Sequence, residues 1–407
     1  MSGIEVPKGY KQTEVGVIPE DWGTPELGHI ITSTQLGGNY SNNAYETAWP
    51  LIKMGNLGRG TIKLHKLEYV QRTSPPKDRD RLKNNDLLFN TRNTLELVGK
   101  IALWNNELPE AYFNSNIMRI HFDESKIASN RFMNYILNTK QFLIFLRGIA
   151  IGTTSVAAIY NRDLLKLTIP LPPTKAEQEA IAEALSDADG LIESLEQLIA
   201  KKRMIKQGAM QELLTGKKRL PGVSGEWEIK RLEDIAKIVM GQSPNSAHYN
   251  CNSNGLPLIQ GNADISKRKT IKRVFTTEIT KQGLVGDILM SVRAPVGEIS
   301  RAMFNVCLGR GVCAIRYPSD FLYYVLVAKE PIWVKLSQGS TFDSINSTDV
   351  KNFNIKIPPT ESEQTAIATI LSDMDDEITA LETKLTKARQ IKQGMMQELL
   401  TGRVRLV

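Results

Sequence analysis

Two stretches of the chain carry apolar residues in steps of three and four. The first runs Ile181, Leu185, Ala188, Ile192, Leu195, Ile199, Ile205, Ala209 and Leu213. The second runs Ile367, Leu371, Met374, Ile378, Leu381, Leu385, Ala388, Ile391, Met395 and Leu399. That spacing predicts long helices with a coiled-coil seam, with one irregular step near Lys202 and Ala388 that implies local rewinding. Pro172-Pro173 and Pro358-Pro359 close an extended approach to each helix, because proline fixes its own φ and disfavours helix in the residue before it. Thr174 and Thr360 are placed to cap, with Glu177 and Glu363 at capping-box spacing. Gly216 and Gly402 end the pattern.

The two stretches are copies. Residues 174–220 return as 360–406 at a constant offset of 186, with 28 identities in 47 positions. Two amphipathic helices lying on separate cores are the plainer arrangement; the near-identical seams favour packing of one copy on the other. Some 40 helical residues span about 60 Å, and the 140 residues between the helices form a unit with a radius of gyration of about 14 Å. Such a unit joins the end of one helix to the start of the next most easily if the helices are antiparallel.

Outside the helices, short apolar runs between turn signals, such as KNNDLLFNTR and LVGDILMSVRAP, read as strands of mixed α/β or β-rich units. The expected fold class is α+β: two globular mixed α/β domains separated by an antiparallel pair of long helices (a coiled coil), pseudo-twofold and quasi-circular. The boundaries are 1-173 for the first domain, 174-216 for the first helix, 217-359 for the second domain and 360-407 for the second helix. The two globular units share framework patches. Asp21-Trp22 and Leu27 match Glu226-Trp227 and Leu232. Pro50-Leu51-Ile52 and Gly55-Asn56 match Pro257-Leu258-Ile259 and Gly261-Asn262. Asp86 through Phe89 with Arg92 matches Asp287 through Met290 with Arg293, and Gly152-Thr153-Thr154 with Ile159 matches Gly339-Ser340-Thr341 with Ile345.

Charge adds an address. The 407 residues hold 51 Lys and Arg against 44 Asp and Glu, a net +7. Residues 1–170 carry +4 and 221–356 carry +5, while the helical stretches are neutral (171–220) and −2 (357–407). A membrane-surface helix would show the reverse distribution. The densest clusters are Lys267, Arg268, Lys269, Lys272 and Arg273, and Lys77, Arg79, Arg81 and Lys83. Either is a solvated face or a set of phosphate contacts.

Catalytic signatures are missing. Val98-Gly99-Lys100-Ile101 lacks the hydroxyl residue of a phosphate-binding loop, and the four histidines form no metal-binding helix motif. No nucleophile elbow or dinucleotide fingerprint occurs. Cys251, Cys307 and Cys313 are too few and too irregular for a disulfide framework or a zinc site. No apolar run reaches membrane-spanning length and no secretory signal is apparent, so the chain reads as soluble and intracellular.

Two variable units, each followed by a helix bearing EQxxIAxxLSDxD and IKQGxMQELLTGxxRL, resemble the specificity subunits of type I restriction–modification enzymes. The run Gly-Asp-Ile-Leu-Met-Ser-Val-Arg at 286–293 and Gly-Ser-Thr at 339–341 match that family's target-recognition domains. The resemblance implies a non-catalytic, cytoplasmic DNA-binding subunit of bacteria or archaea. Its two domains would read the halves of a bipartite, asymmetric duplex site, and its helices would set the spacer. Partners would be two methyltransferase subunits using S-adenosylmethionine, and two motor-nuclease subunits using ATP and Mg²⁺; this chain would bind no cofactor itself. Asn56, Arg92, Gln260, Asn262 and Arg293 are candidate DNA contacts beside the two basic clusters. Glu177-Gln178, Gln211-Glu212, Glu363-Gln364 and Gln397-Glu398, taken as exposed helix flanks, are candidate partner-docking residues. The first unit departs from the family pattern at Asn85, in place of glycine, and at Asn39-Tyr40, in place of Thr-Pro, so its loops are expected to differ. Alternatives are a standalone DNA methyltransferase or nuclease, or a coiled-coil interaction protein without sequence preference.

Overall fold

The computed structural model describes residues 6–337 and 344–406; Gly339-Ser340-Thr341 lie outside the described residues. The chain divides into two compact units, one of residues 1–195 with 384–407 and one of residues 196–383. The units cut across the four sequence segments, because each long helix contributes one half to each unit.

In the first unit, strands β1 (Ile31–Leu36), β2 (Pro50–Ile52), β3 (Glu68–Val70), β4 (Leu87–Asn90), β5 (Ile101–Leu103), β6 (Tyr112–Phe113) and β7 (Ile117–Phe122) form two sheets. One is antiparallel in the order β1-β7-β4-β5; the other runs β6-β2-β3 and ends on Asn42–Asn43, with β6 parallel to β2. Helices α1 (Asn130–Ile136), α2 (Lys140–Ile149) and α3 (Lys175–Leu213) follow. The second unit repeats the plan with β8 (Lys237–Met240), β9 (Leu256–Ile259), β10 (Phe275–Thr276), β11 (Ile288–Ser291), β12 (Ile299–Arg301), β13 (Val306–Leu308) and β14 (Val312–Arg316). Its sheet orders β8-β14-β11-β12 and β13-β9-β10 reproduce the first unit's, including the parallel pair. Helices α4 (Phe321–Ala328), α5 (Glu330–Ser337) and α6 (Glu361–Leu399) complete it.

The apolar runs at β4 and β11 are continuous because both faces of these strands are covered. Leu87 and Phe89 pack into the helix-covered core and Leu88 into the core between the sheets. Ile288 and Met290 against Leu289 repeat that split.

The long helices pair antiparallel within each unit. In the second unit Lys202, Lys206 and Arg219, in ascending order, meet Glu377, Asp375 and Glu363, in descending order, at 2.6, 2.5 and 2.6 Å. In the first, Lys392 meets Asp189 at 2.5 Å and Arg405 pairs with Glu177. The pairs Asp189–Lys392 and Asp375–Lys206 are the same interaction displaced by 186 residues, and Tyr135 and Tyr324 donate to the same two aspartates.

Two sequence expectations fail here. Ile205 and Ile391, assigned to the seam, are 47% and 52% exposed. The seam instead continues in regular steps through Lys202 and Lys206, or Ala388 and Lys392, so no rewinding is needed: a lysine occupies a core position and its ammonium reaches an aspartate across the pair. The capping boxes are also only half made. Thr174 and Thr360 accept from the backbone N–H of Glu177 and Glu363, but those carboxylates go to Arg405 and Arg219.

Candidate nucleic-acid interface

At one end of the paired sheets of each unit, four loops are tied by the same backbone hydrogen bonds. In the first unit Gly37 N donates to Ile117 O, Gly38 N to Phe113 O, Asn114 N to Ile52 O, Thr91 N to Asn116 O and Ile159 N to Thr91 O. In the second, Gly241 N donates to Val312 O, Gln242 N to Leu308 O, Gly309 N to Ile259 O, Val292 N to Gly311 O and Ile345 N to Val292 O. The close approach requires glycine: a Cβ at Gly37 or Gly241 would lie 2.2 Å from Phe113 O or 2.0 Å from Gly309 O.

The side chains displayed on this common frame differ. Lys53, bonded to Glu68 and Asn42 at 3.0 Å, stands where Gln260 donates to the Tyr249 hydroxyl, also at 3.0 Å. Ser115 stands where Arg310 projects, and Gly38-Asn39 where Gln242-Ser243 do. Arg92 and Arg293 are the shared element. Each follows its central strand, each lies beside the closing segment through Ala158 or Ser344, and both are exposed without an ion pair among the described residues.

Beside each frame stands a tight hairpin. Asn56 is buried; its side chain accepts from Lys53 N at 3.0 Å and donates to Lys63 O at 3.0 Å, while its carbonyl accepts from Lys63 N. In the second unit Asp264 does the same work, accepting from Gln260 N at 2.8 Å and, through its carbonyl, from Ile271 N. The bridge Leu57–Ile62 corresponds to Ile265–Thr270. The structural counterpart of Asn56 is therefore Asp264, not Asn262 as the Gly-Asn match suggested.

A buried carboxylate anchors the turn before each central strand. Asp86 accepts from Lys83 N at 2.8 Å and pairs with Arg119 at 2.8 Å; Asp287 accepts from Leu284 N at 2.8 Å and pairs with Arg316 at 2.7 Å. The Asp287 carboxylate raises the pKa of Arg316. The expected difference at Asn85 is absent. Asn85 adopts φ 66° where Gly286 has φ 88°, and asparagine is among the few residues that tolerate the left-handed region.

Residues 19–201 and 224–392 match the family model described as the type I restriction modification DNA specificity domain. The chain belongs to this family. It is 32% identical, over 98% of its length and 97% of the relative's, to the "Putative type I restriction enzyme MjaX specificity subunit" of Methanocaldococcus jannaschii. Its fold is shared with a solved chain from work on complex assembly and conformational transition of the type I R-M system (24% identity, TM-score 0.60, 95% and 99% of the two chains). It is shared as well with the type I restriction-modification S subunit from M. genitalium (15% identity, TM-score 0.64, 97% and 98%). Among the described residues no helix is long and apolar enough to cross a membrane.

The candidate residues of this specificity-family chain fall into distinct groups. Arg92, Gln260 and Arg293 lie on the loop frame. Asn56 is buried and holds a hairpin. Asn262 donates to Glu298, Arg273 pairs with Asp264 at 3.3 Å, and Arg268 pairs with Glu330, which raises its pKa. These three are held by carboxylates. Lys267 and Lys269 are exposed on the hairpin without ion pairs among the described residues, and Lys272 lies 5.0 Å from the Phe304 ring centre. Lys77, Arg79, Arg81 and Lys83 are exposed around the turn Asp78–Asp80, which precedes β4. Arg79 lies 3.5 Å from buried Asp80 and Arg81 3.8 Å from Glu110. The two dense basic clusters therefore occupy non-equivalent places in their units.

Half of the predicted docking residues are not exposed flanks. Glu177, Gln178, Glu363 and Gln364 are buried; Gln178 bonds the carbonyls of Lys126 and Pro172, and Gln364 bonds Pro358 O and accepts from the Tyr317 hydroxyl. Gln211, Glu212 and Gln397 are exposed and Glu398 half-buried. Sequence reasoning missed Arg59, Lys63, Lys100, Arg147, Gln242 and Arg310, because none belongs to a charge run or a repeated motif.

Proposed function

We propose that this specificity subunit reads a bipartite duplex DNA site, one half with each loop frame. The observation that carries the reading is the repeated hydrogen-bonded frame on which different polar side chains are displayed. A fixed scaffold with variable polar tips suits direct readout of base edges, while flanking cations grip phosphates and supply salt-dependent affinity. Arg92 and Arg293, common to both frames, take phosphate or framework contacts; Gln260, Gln242 and Arg310 read bases in the second half-site.

In this reading the chain performs no chemistry. The α3 and α6 helices set the spacer and dock two methyltransferase subunits through flanks that include Gln211, Glu212, Gln397 and Glu398. Exposed apolar residues on the same helices, among them Leu191, Met204, Ile205 and Ile391, support a protein-covered surface. S-adenosylmethionine, ATP and Mg²⁺ serve the methyltransferase and motor-nuclease partners.

The test is selection from a random duplex pool by the full chain with its methyltransferase subunits, followed by sequencing. A two-part motif is expected, and Gln260→Ala with Arg310→Ala relaxes one part and leaves the other intact. Recovery of no two-part motif, or equal loss in both parts, overturns the proposal.

A further inference from the structure

In the first unit, cations far apart in sequence converge beside the loop frame. The hairpin pinned by Asn56 carries Arg59 at its tip and Lys63 on its return arm. Gly60 N donates to Ile101 O at 2.7 Å, which brings the tip against the residue following Lys100. Asn90 N donates to Lys100 O at 2.8 Å, placing Lys100 opposite the end of β4, just before Thr91 and Arg92 of the frame. A Cβ on the neighbouring Gly99 would lie 3.2 Å from Leu146 of α2, and the next residue of that helix is Arg147. Arg59, Lys63 and Arg147 are exposed and Lys100 half-buried; among the described residues none makes an ion pair.

The second unit keeps the strand pairing and the helix contact, with exposed Lys267 and Lys269 on its hairpin but no cation in the places of Lys100 and Arg147. Ser291 N donates to Glu298 O at 3.0 Å, as Asn90 N does to Lys100 O, so Glu298 stands in the place of Lys100. Gly297 faces Trp333 as Gly99 faces Leu146, so Val334 stands in the place of Arg147. One turn earlier on that helix, Glu330 pairs with Arg268 of the hairpin. Unpaired like charges destabilise a compact fold. Burial and the nearby Arg59 and Lys63 lower the pKa of Lys100, and burial and Arg147 lower that of Arg59. An anion among them would relieve that repulsion.

We infer that Arg59, Lys63, Lys100 and Arg147 form a backbone-phosphate clamp for duplex DNA in the first unit, and that the second unit, with Glu298 and Val334 in the places of Lys100 and Arg147, builds no such four-cation clamp and keeps only the hairpin lysines Lys267 and Lys269 for phosphate. The inference rests on the DNA-reading role proposed above and gives the two half-sites unequal shares of electrostatic affinity.

The full chain is tested on duplex DNA bearing its own selected motif, by measuring affinity against salt. Each phosphate contact contributes about 0.9 to the log–log slope. The exposed-residue variant Arg59→Gln, Lys63→Gln, Arg147→Gln is expected to lower the slope by about 2 to 3 while the motif is unchanged. The reciprocal variant Glu298→Lys is expected to steepen it by up to about 1. A triple variant that melts like the parent and keeps the parent slope overturns the clamp. If the triple variant fails to fold, an unchanged slope for Glu298→Lys does so. A parent chain that selects no motif at all overturns the DNA-reading role itself, a result distinct from either.

Discussion

The two units hold the same five backbone hydrogen bonds around their loops, yet the charges beside those loops are arranged differently. Arg59, Lys63, Lys100 and Arg147 make no ion pair among the described residues, whereas in the second unit Arg268 is met by Glu330 and Asn262 by Glu298, leaving Lys267 and Lys269 unpaired on the hairpin. The anchoring ion pair differs in the same sense. Arg119 pairs with Asp86 from a position that is 7% exposed; Arg316 pairs with Asp287 from two residues further along the equivalent strand and is 35% exposed. Even the end of the central strand differs: Ser291 Oγ donates to the carbonyls of Arg293 and Pro295, while both amide atoms of Asn90 are buried without partners. Apart from the glycines needed at the close approach, Gly37 and Gly241, these backbone bonds ask little of side-chain identity, so a duplicated frame persists while the charges on it diverge.

Removing the anchors tests that contrast most strongly. Asp86→Ala strands a buried guanidinium and is expected to cost about 3–5 kcal/mol. Asp287→Ala leaves Arg316 able to hydrate and is expected to cost about 1–3 kcal/mol. Urea unfolding of the full chain measures both, and equal losses would erase the distinction between the corners.

The helix-end pairs come next. Among the described residues, Arg405→Ala removes every side-chain donor to buried Glu177, because Trp22 Nε1 has no partner, whereas Arg219→Ala leaves Glu363 the Trp227 Nε1–H at 3.3 Å. The expected costs are about 2–3 and about 1–2 kcal/mol; thermal unfolding that ranks Arg219→Ala as the costlier change would contradict this account of the two tryptophans.

A smaller effect is expected where the units agree. Gly286→Asn and Asn85→Gly each exchange residues that tolerate the same left-handed φ, and both should shift stability by less than about 1 kcal/mol. Gly286→Ala should cost more than Gly286→Asn; the reverse order in the same unfolding assay would rule out the backbone explanation.

The smallest concerns pH. The bond from Arg405 holds the Asp21 carboxyl below its ordinary value near 3.8. A lowered folded-state pKa stabilises above the ordinary value, and that contribution is lost as pH falls through the lowered one. Arg405→Ala should therefore flatten the acid limb of stability below about pH 4.

Much of the architecture was legible in the chain because duplication writes the same helix twice and because strands buried on both faces are continuously apolar. What failed to show did so for physical reasons. Lys206 and Lys392 hide in the seam because a lysine's long stem is apolar and its head finds an aspartate only across the helix pair. Asn56 was aligned with Asn262 by a shared Gly-Asn, whereas the bonded hairpin equates it with Asp264, since an amide or a carboxylate can accept the same backbone N–H. Glu177 and Gln178 resemble solvated helix residues until Arg405 and the carbonyls of Lys126 and Pro172 are folded around them.

The sequence by itself determined the repeated module, the α+β class, the antiparallel helices and the family, because each rests on local periodicity or on ungapped identity. Only the tertiary structure decided which charges stand free and which are cancelled. Arg59 and Lys100 are 41 residues apart along the chain, and a single backbone bond from Gly60 to Ile101 brings them together; ion pairing depends on distance in space, which no linear pattern records.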